Sequence, residues 1–271
     1  MHLIKKSKLQ HLNKNIHYTL RIAVAMCFIG HGAFGIITKA VWCNYFAVVG
    51  ISDDLSYQLM PVVGSFDILM GITMLVNPVR AIPAWLVLWG IFTALLRPLS
   101  GEPFAEFIER AGNFGASLGL LILSGMSKNG KEWFTLINPN KNVSKETYEK
   151  LSVCLRMISF LLLLGHGWLN LIGKKGVLDQ YALVGFTNTE QIAQIIGIAE
   201  ITAALIILIR PFRSLVFLLF LWKMISEIFY PHYKLFEWVE RGGSYGVLLA
   251  LWMLTEKKTF FTWMGTKITG E

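Results

Sequence analysis

Charge is scarce in this chain: 15% of its 271 residues are Asp, Glu, Lys or Arg, and the mean hydropathy is +0.54. Soluble domains carry about 25% charged residues, so a globule surrounded by water is excluded. Cysteine is nearly absent, and Cys27, Cys43 and Cys154 lie far apart without a C-x-x-C spacing. That removes a paired-thiol redox motif and a structural zinc site, and the lack of C-x-x-C-H removes covalently attached haem. Long basic tracts are missing too. The net charge of +8 comes from short basic segments beside apolar runs, the pattern of anchors facing anionic lipid, so nucleic acid is set aside as a partner and the lipid bilayer takes its place. Apolar residues do not alternate with polar ones as they would in a barrel of strands, so the spans are helical.

What the chain does have is apolar runs of about the 20 residues that cross a bilayer, with some shorter ones. Eight are expected, near residues 16–36, 58–77, 80–97, 104–126, 150–172, 190–209, 212–229 and 235–255. Much of the first half recurs in the second. Arg21, Gly30-His31-Gly32 and Gly50 match Arg156, Gly165-His166-Gly167 and Gly185; Gly64, Asp67, Pro78, Arg80 and Trp89 match Gly197, Glu200, Pro211, Arg213 and Trp222. The spacing between partners changes only between apolar runs, so length differences fall in loops. The expected fold class is therefore all-α integral membrane, with eight transmembrane helices arranged as two parallel-repeat four-helix bundles. Residues 1–126 form the first repeat, 127–149 a polar cytoplasmic linker and 150–271 the second repeat.

Basic residues near Lys5, Lys6, Lys8 and Lys14 superficially resemble the start of a cleaved signal. The same segment recurs in mid-chain, where it can only be a span. Most of the 25 Lys and Arg residues fall on one side if the N-terminus is inside, which places both termini in the cytoplasm of a multi-pass cell-membrane protein. An even number of spans per half makes the repeats parallel, unlike the inverted repeats of many transporters. Between the first two spans of each half, Lys39, Trp42, Tyr45 and Phe46, then Lys174, Lys175 and Tyr181, read as an anchor or cap in the outer interface, with a lid over the site as the other reading.

The second recurring stretch concentrates the charge. Glu106-Phe107-Ile108-Glu109-Arg110-Ala111-Gly112-Asn113 is echoed by Glu237-Trp238-Val239-Glu240-Arg241-Gly242-Gly243-Ser244. Ionisable groups inside a span are costly and mark function by default. Glu106, Glu109 and Arg110 share one helical face and pair, and Asn113 extends that face by a turn. His31 lies about 20 Å up a span that starts inside, and Asp67 at a similar depth in the next. Histidine, carboxylates and guanidinium thus converge in the outer half of the bilayer. The second half supplies His166, Glu200, Glu237, Glu240 and Arg241, but Lys223 and Glu227 stand where Gly90 and Ala94 stand in the first, and Tyr230 replaces Arg97. Two non-equivalent polar clusters, or one asymmetric central site, are expected. A structural bracket between helices is the plain alternative for the Glu-Arg motif, and a simple His31–Asp67 bond for the histidine. Trp85, Trp89 and Trp222 read as packing or as the wall of a pocket for a flat apolar ligand. Haem held between His31 and His166, or a metal held by histidine and carboxylates of one half, are weaker options.

Four spans per unit, a glycine-rich first span ending near a basic and aromatic outer segment, an acid in the second span (Asp67, Glu200) followed by Gly71 or Ala204, and a compact polar fourth span make each half resemble the DoxX-like family of small four-helix membrane proteins. Here the unit is doubled. The resemblance implies a component of a quinone-coupled redox system, such as an oxidoreductase subunit, with a quinone as cofactor and a partner subunit or a homo-oligomer as context. On that reading Asp67, Glu200, Glu109 and Glu240 carry the proton chemistry. His31, His166, Glu106, Arg110, Asn113, Glu227, Glu237 and Arg241 bind the apolar small molecule or hold the acids, and no resident metal is expected. The competing expectation is a non-enzymatic small-molecule carrier or a membrane-protein assembly partner.

Overall fold

A computed structural model describes the backbone of residues 2–230 and 234–255, and the side chains within 9–230 and 235–255. The elements are α1 His2–Ile36, α2 Trp42–Val48, α3 Asp53–Val76, α4 Ala81–Leu99, α5 Ala105–Glu109, α6 Ala111–Ser124, α7 Lys145–Leu171, α8 Lys175–Val184, α9 Thr189–Ile209, α10 Arg213–Ser226, α11 Lys234–Glu240 and α12 Gly242–Leu254, with 3-10 turns at Gly130–Phe134 and Glu227–Phe229. No strand forms among the described residues, apart from an isolated bridge between Val79 and Leu136.

Five helices are long and apolar enough to cross a membrane: α1 from Leu9, α3, α4, α7 and α9. Within their apolar windows, 56% and 50% of α1 and α7 are buried, against 28%, 28% and 33% of α3, α4 and α9. Helices α1 and α7 are therefore central and the others peripheral. The peripheral helices turn large apolar side chains outward, such as Val62, Leu88 and Ile195, each more than half exposed. Such a belt suits lipid rather than water. The shorter α6, α10 and α12 fall below spanning length, and for α6 and α12 the reason is local. The expected fourth span of each half is interrupted at Arg110 and at Arg241, both at φ −81° and ψ 8°. There the bonds tighten to three-residue steps, Asn113 N to Arg110 O at 2.9 Å and Ser244 N to Arg241 O at 3.0 Å, as in a stretch of 3-10 helix.

Packing departs from the expectation of two self-contained bundles. One hydrophobic core draws Leu20, Val24 and Leu120 from the first half and Leu155, Leu162, Val247 and Leu251 from the second. Helix α6 packs on α7, and α12 on α1, so the fourth helix of each half lies against the first helix of the other. Within a half, α1 packs on α3 and α7 on α9. Arg21 donates to the last carbonyls of α3, with Nε 2.6 Å from Met74 O. Arg156 does the same for α9, with Nη2 2.8 Å from Ile209 O. A guanidinium there satisfies orphan carbonyls and suits the negative end of the helix dipole.

The Gly-His-Gly segments follow from this packing, because each glycine admits a different neighbour. A Cβ on Gly30 would overlap the backbone of Glu240, and one on Gly165 the backbone of Glu109, so the leading glycine seats the opposite half. Gly32 abuts the carbonyl of Gly64, and a Cβ on Gly167 would lie 2.9 Å from that of Gly197, so the trailing glycine seats the half's own second span. Small residues at helix crossings in membranes allow such approach. The linker packs back on the helix ends. Asn13 donates to Pro139 O (2.8 Å) and Lys141 O (3.0 Å), and Arg80 to Gly125 O (3.1 Å) and Glu132 O (3.0 Å).

Gly32→Ala is expected to lower stability by about 1–3 kcal/mol through overpacking, whereas Gly130→Ala, which meets nothing within 4 Å, should stay within about 0.5 kcal/mol. Denaturant unfolding of the two variants in one detergent measures the difference.

Candidate functional site

Two broken helices carry the polar groups inward. Glu106 and Glu109 lie on α5 with Arg110 at the break before α6, and Glu237 and Glu240 lie on α11 with Arg241 at the break before α12. Arg110 Nη1 lies 2.7 Å from Glu106 Oε2 and 3.0 Å from Glu109 Oε2, so the pairing expected within the motif is present. Other pairs of the network cross between halves. Arg241 Nη1 pairs with Glu109 Oε1, Lys174 with Glu106 Oε1, and Lys39 Nζ with Glu237 Oε1 at 2.6 Å. Arg241 Nε also sits 2.9 Å from Glu227 Oε2, close enough for an ion pair although its N–H is not aimed along that line. Glu227 in turn holds Lys223, whose side chain is fully buried, at 2.7 Å. A buried lysine persists in such a setting only when paired.

Symmetry in sequence does not become symmetry in charge. Glu109 receives both arginines, while Glu240, only 4% exposed, receives neither. Its hydrogen bond among the described residues is from Asn113 Nδ2 at 3.4 Å. The histidine pairs differ in the same sense. His166 Nδ1 lies 2.6 Å from Glu200 Oε2, whose carboxylate also accepts from Trp222 Nε1 at 2.8 Å and Asn170 Nδ2 at 3.4 Å, and Tyr181 Oη donates to Asn170 Oδ1 at 2.6 Å. This cluster is saturated. His31 Nδ1 lies 2.7 Å from Asp67 Oδ2, but Asp67 is one methylene shorter than glutamate, and its buried Oδ1 and the matched Trp89 Nε1 both lack a hydrogen-bond partner among the described residues. The Asp67 bond favours the proton on Nδ1 and leaves Nε2 of His31 as the free nitrogen.

Two cavities meet at this network. An apolar one of about 250 Å³ is walled by Phe28, Trp42, Phe46, Val63, Trp89 and Leu96, with His31, Arg110, Asn113 and Glu240 on its polar edge. His31 lies against Trp42 with ring centroids 4.7 Å apart. A wider polar vestibule of about 900 Å³ contains Glu106, Glu109, Glu227, Glu237, His166 and Arg241. Tyr45, Arg97 and Arg110 line both, so the apolar chamber adjoins the charged one.

All twelve singled-out residues are accounted for. Glu106, Glu109, Arg110, Glu227, Glu237 and Arg241 form the ionic network, His166 and Glu200 the saturated cluster, and His31, Asp67, Asn113 and Glu240 the open edge. Sequence reasoning missed part of the site in the segments assigned to the interface. Lys39 and Lys174 reach in to Glu237 and Glu106, Tyr45 donates to Glu102, and Trp42 covers His31. The signal was present, since Lys39 and Lys174 keep the same spacing as the two histidines. Of the tryptophans, Trp89 walls the cavity, Trp222 binds Glu200, and Trp85 is largely exposed. No group of three or more His, Cys, Asp or Glu side chains converges in a metal-holding cluster among the described residues.

Outside the spans, burial pushes the Lys174 ammonium down to about 8, against the raising pull of Glu102. Burial pushes the Tyr45 hydroxyl up to about 12. At Glu102 burial raises the carboxyl, but Arg97, the Tyr45 hydroxyl and Lys174 outweigh it and hold it below its ordinary value. Compared with protein-family models, curated proteins and solved structures, the chain matches none.

Because the neutral amine fraction of Lys174 rises as pH passes through about 8, its acylation should be half-maximal near that pH, against about 10.4 for a lysine in a short model peptide. Competitive labelling of the protein and of such a peptide, read by mass spectrometry, measures both. Glu109→Gln takes one carboxylate partner from each of two arginines, leaving Arg110 with Glu106 and Arg241 with Glu227, and should cost about 3–5 kcal/mol, as removal of one partner of a buried pair does. Glu240→Gln removes no ion pair and should cost under about 1 kcal/mol. Equal losses in denaturant unfolding would contradict the division of partners described above.

Proposed function

We propose that this is an eight-pass membrane protein of two parallel DoxX-like units, with both termini cytoplasmic, that binds a quinone-like or other apolar small molecule in the cavity beside His31 as a component of a membrane redox system. The observation that carries the reading is the apolar cavity of about 250 Å³ edged by His31, Asn113, Arg110 and Glu240. Binding sites for small molecules are concave, mostly apolar and equipped with a few placed polar groups, and this one has an imidazole oriented by a buried carboxylate. The five spanning helices become eight passes when the broken α5–α6 and α11–α12 pairs and the short α10 with its 3-10 turn are each taken as one crossing. The matched His–acid pairs, arginine caps and crossed glycine contacts support the parallel repeat.

In this scheme Asp67 orients His31, and His31 and Glu240 exchange protons with polar atoms of the bound molecule. Arg110 and Arg241 keep Glu109 and its neighbours ionised, and His166 with Glu200 holds the second half in place instead of reacting. A carrier is the second reading, and the charged vestibule of about 900 Å³ is the observation in its favour. A partner subunit or a second copy fits either reading.

Mass spectrometry of lipid extracts from the purified protein is expected to recover a bound apolar molecule that is depleted at least about fivefold in Asp67→Asn and little changed in Glu200→Gln. An extract identical to that of an unrelated membrane protein would reject the binding reading. Solute uptake into vesicles that depends on Asp67 would move the assignment to the carrier.

A further inference from the structure

Resting on the reading of the apolar cavity as a ligand site, we infer that α2 is a hinged lid closed against backbone strain, and that its movement admits the ligand sideways from the bilayer at the seam with α4. The first observation is what α2 covers. Trp42, Tyr45 and Phe46, with Val49 and Ile51 just beyond the helix, form one wall of the cavity. Trp42, Cys43 and Tyr45 are buried, but in a small cluster with Phe34 and Met60 that is separate from the core joining the two halves. Helix α2 packs on α3 and α4 of its own half, so this wall can shift without parting the halves. Two polar latches hold it: the Tyr45 hydroxyl donates to Glu102, and Lys39 pairs with Glu237 at 2.6 Å.

The second observation is the backbone at the two ends of α2, which is independent of the cavity. Thr38 N donates to Gly35 O and Lys39 N to Phe34 O, and at the far end Gly50 N donates to Ala47 O and Ile51 N to Phe46 O. Each is a Schellman turn, whose pivot takes a positive φ and is ordinarily glycine. The second half builds the same two turns around α8, with Gly173 at φ 61° and Gly185 at φ 100°. In the first half Gly50 follows at φ 78°, but the other pivot is Thr38 at φ 51°, the one non-glycine residue with positive φ among the described residues. A β-branched residue there is strained and stays only while its surroundings enforce it. The closed position of α2 therefore carries a cost that α8 avoids, and swinging α2 outward relieves it. The third observation is the direction: Val49 and Phe92 of α4 line the cavity, yet they are 51% and 45% exposed on the outer surface. The chamber thus has its mouth at the seam between the end of α2 and α4, on the apolar belt.

The native cysteines report the movement without any ligand. Cys43 lies on the buried side of the lid and Cys27 on the cavity wall, whereas Cys154 lies on α7 away from both. The full-length protein in nanodiscs is treated with N-cyclohexylmaleimide or a sulfonated maleimide, each rate being divided by that on the detergent-unfolded chain. Labelling of a buried thiol then follows the open population. Thr38→Gly, which removes the strain of the closed state, should slow Cys27 and Cys43 about fivefold. Gly50→Ala, whose added Cβ meets nothing within 4 Å and acts through φ alone, should speed both by a similar factor; Cys154 should change in neither variant. Cys27 should react at least tenfold faster with the cyclohexyl reagent than with the sulfonated one. Unchanged or faster labelling in Thr38→Gly, unchanged or slower labelling in Gly50→Ala, a parallel change at Cys154, or equal access for the sulfonated reagent would overturn the inference. Should Thr38→Gly not fold, Gly50→Ala and the reagent comparison decide. The ligand-site reading is judged separately by the lipid extracts, so a moving lid over a chamber that yields no bound molecule would reject that reading alone.

Discussion

Everything in this structure is arranged around a requirement of electrostatics at low dielectric: a carboxylate or guanidinium carried among apolar helices must find its opposite. Neither half satisfies this by itself. Glu109 needs Arg241, Glu106 needs Lys174, and Glu237 needs Lys39, so the ionic groups of each half are completed by the other. The crossed packing of α6 on α7 and of α12 on α1 is the geometric expression of that need. Glycines at Gly30 and Gly165 bring the backbones of the opposing glutamates close enough for it.

Against that shared frame, the halves have separated in character. In the second, the longer acid closes the valences around the histidine: Glu200 reaches both His166 and Trp222, and Lys223 pairs with Glu227. In the first, the shorter acid leaves Asp67 Oδ1 and the Trp89 indole nitrogen without hydrogen-bond partners among the described residues. The likeness of the two amino-acid patterns conceals this, because the decisive differences are single methylenes and a handful of small-for-large exchanges.

Much of this was readable before any coordinates. Helicity and burial in lipid follow from continuous apolar runs, and the pairing of Glu106 with Arg110 follows from helical spacing. The bond between His31 and Asp67 was already the plainest expectation for that histidine. Three features were not readable. The breaks at Arg110 and Arg241 occur without proline, and local pattern alone continued the helix through them. Ion pairs such as Lys39 with Glu237 join residues far apart in the chain, and an interfacial lysine looks the same whether it faces lipid headgroups or an internal acid. The choice of Glu109 over Glu240 by both arginines is a matter of tertiary placement that symmetric motifs cannot express.

The interlocking also governs how the molecule is made. The ribosome delivers the first half to the bilayer well before Arg241 exists, so Glu109 has only Arg110 as an ion-pair partner until α11 and α12 arrive. Insertion of α11 and α12 therefore completes the pairing of an acid placed much earlier, and a product truncated in the linker keeps Glu109 with one of its two guanidinium partners.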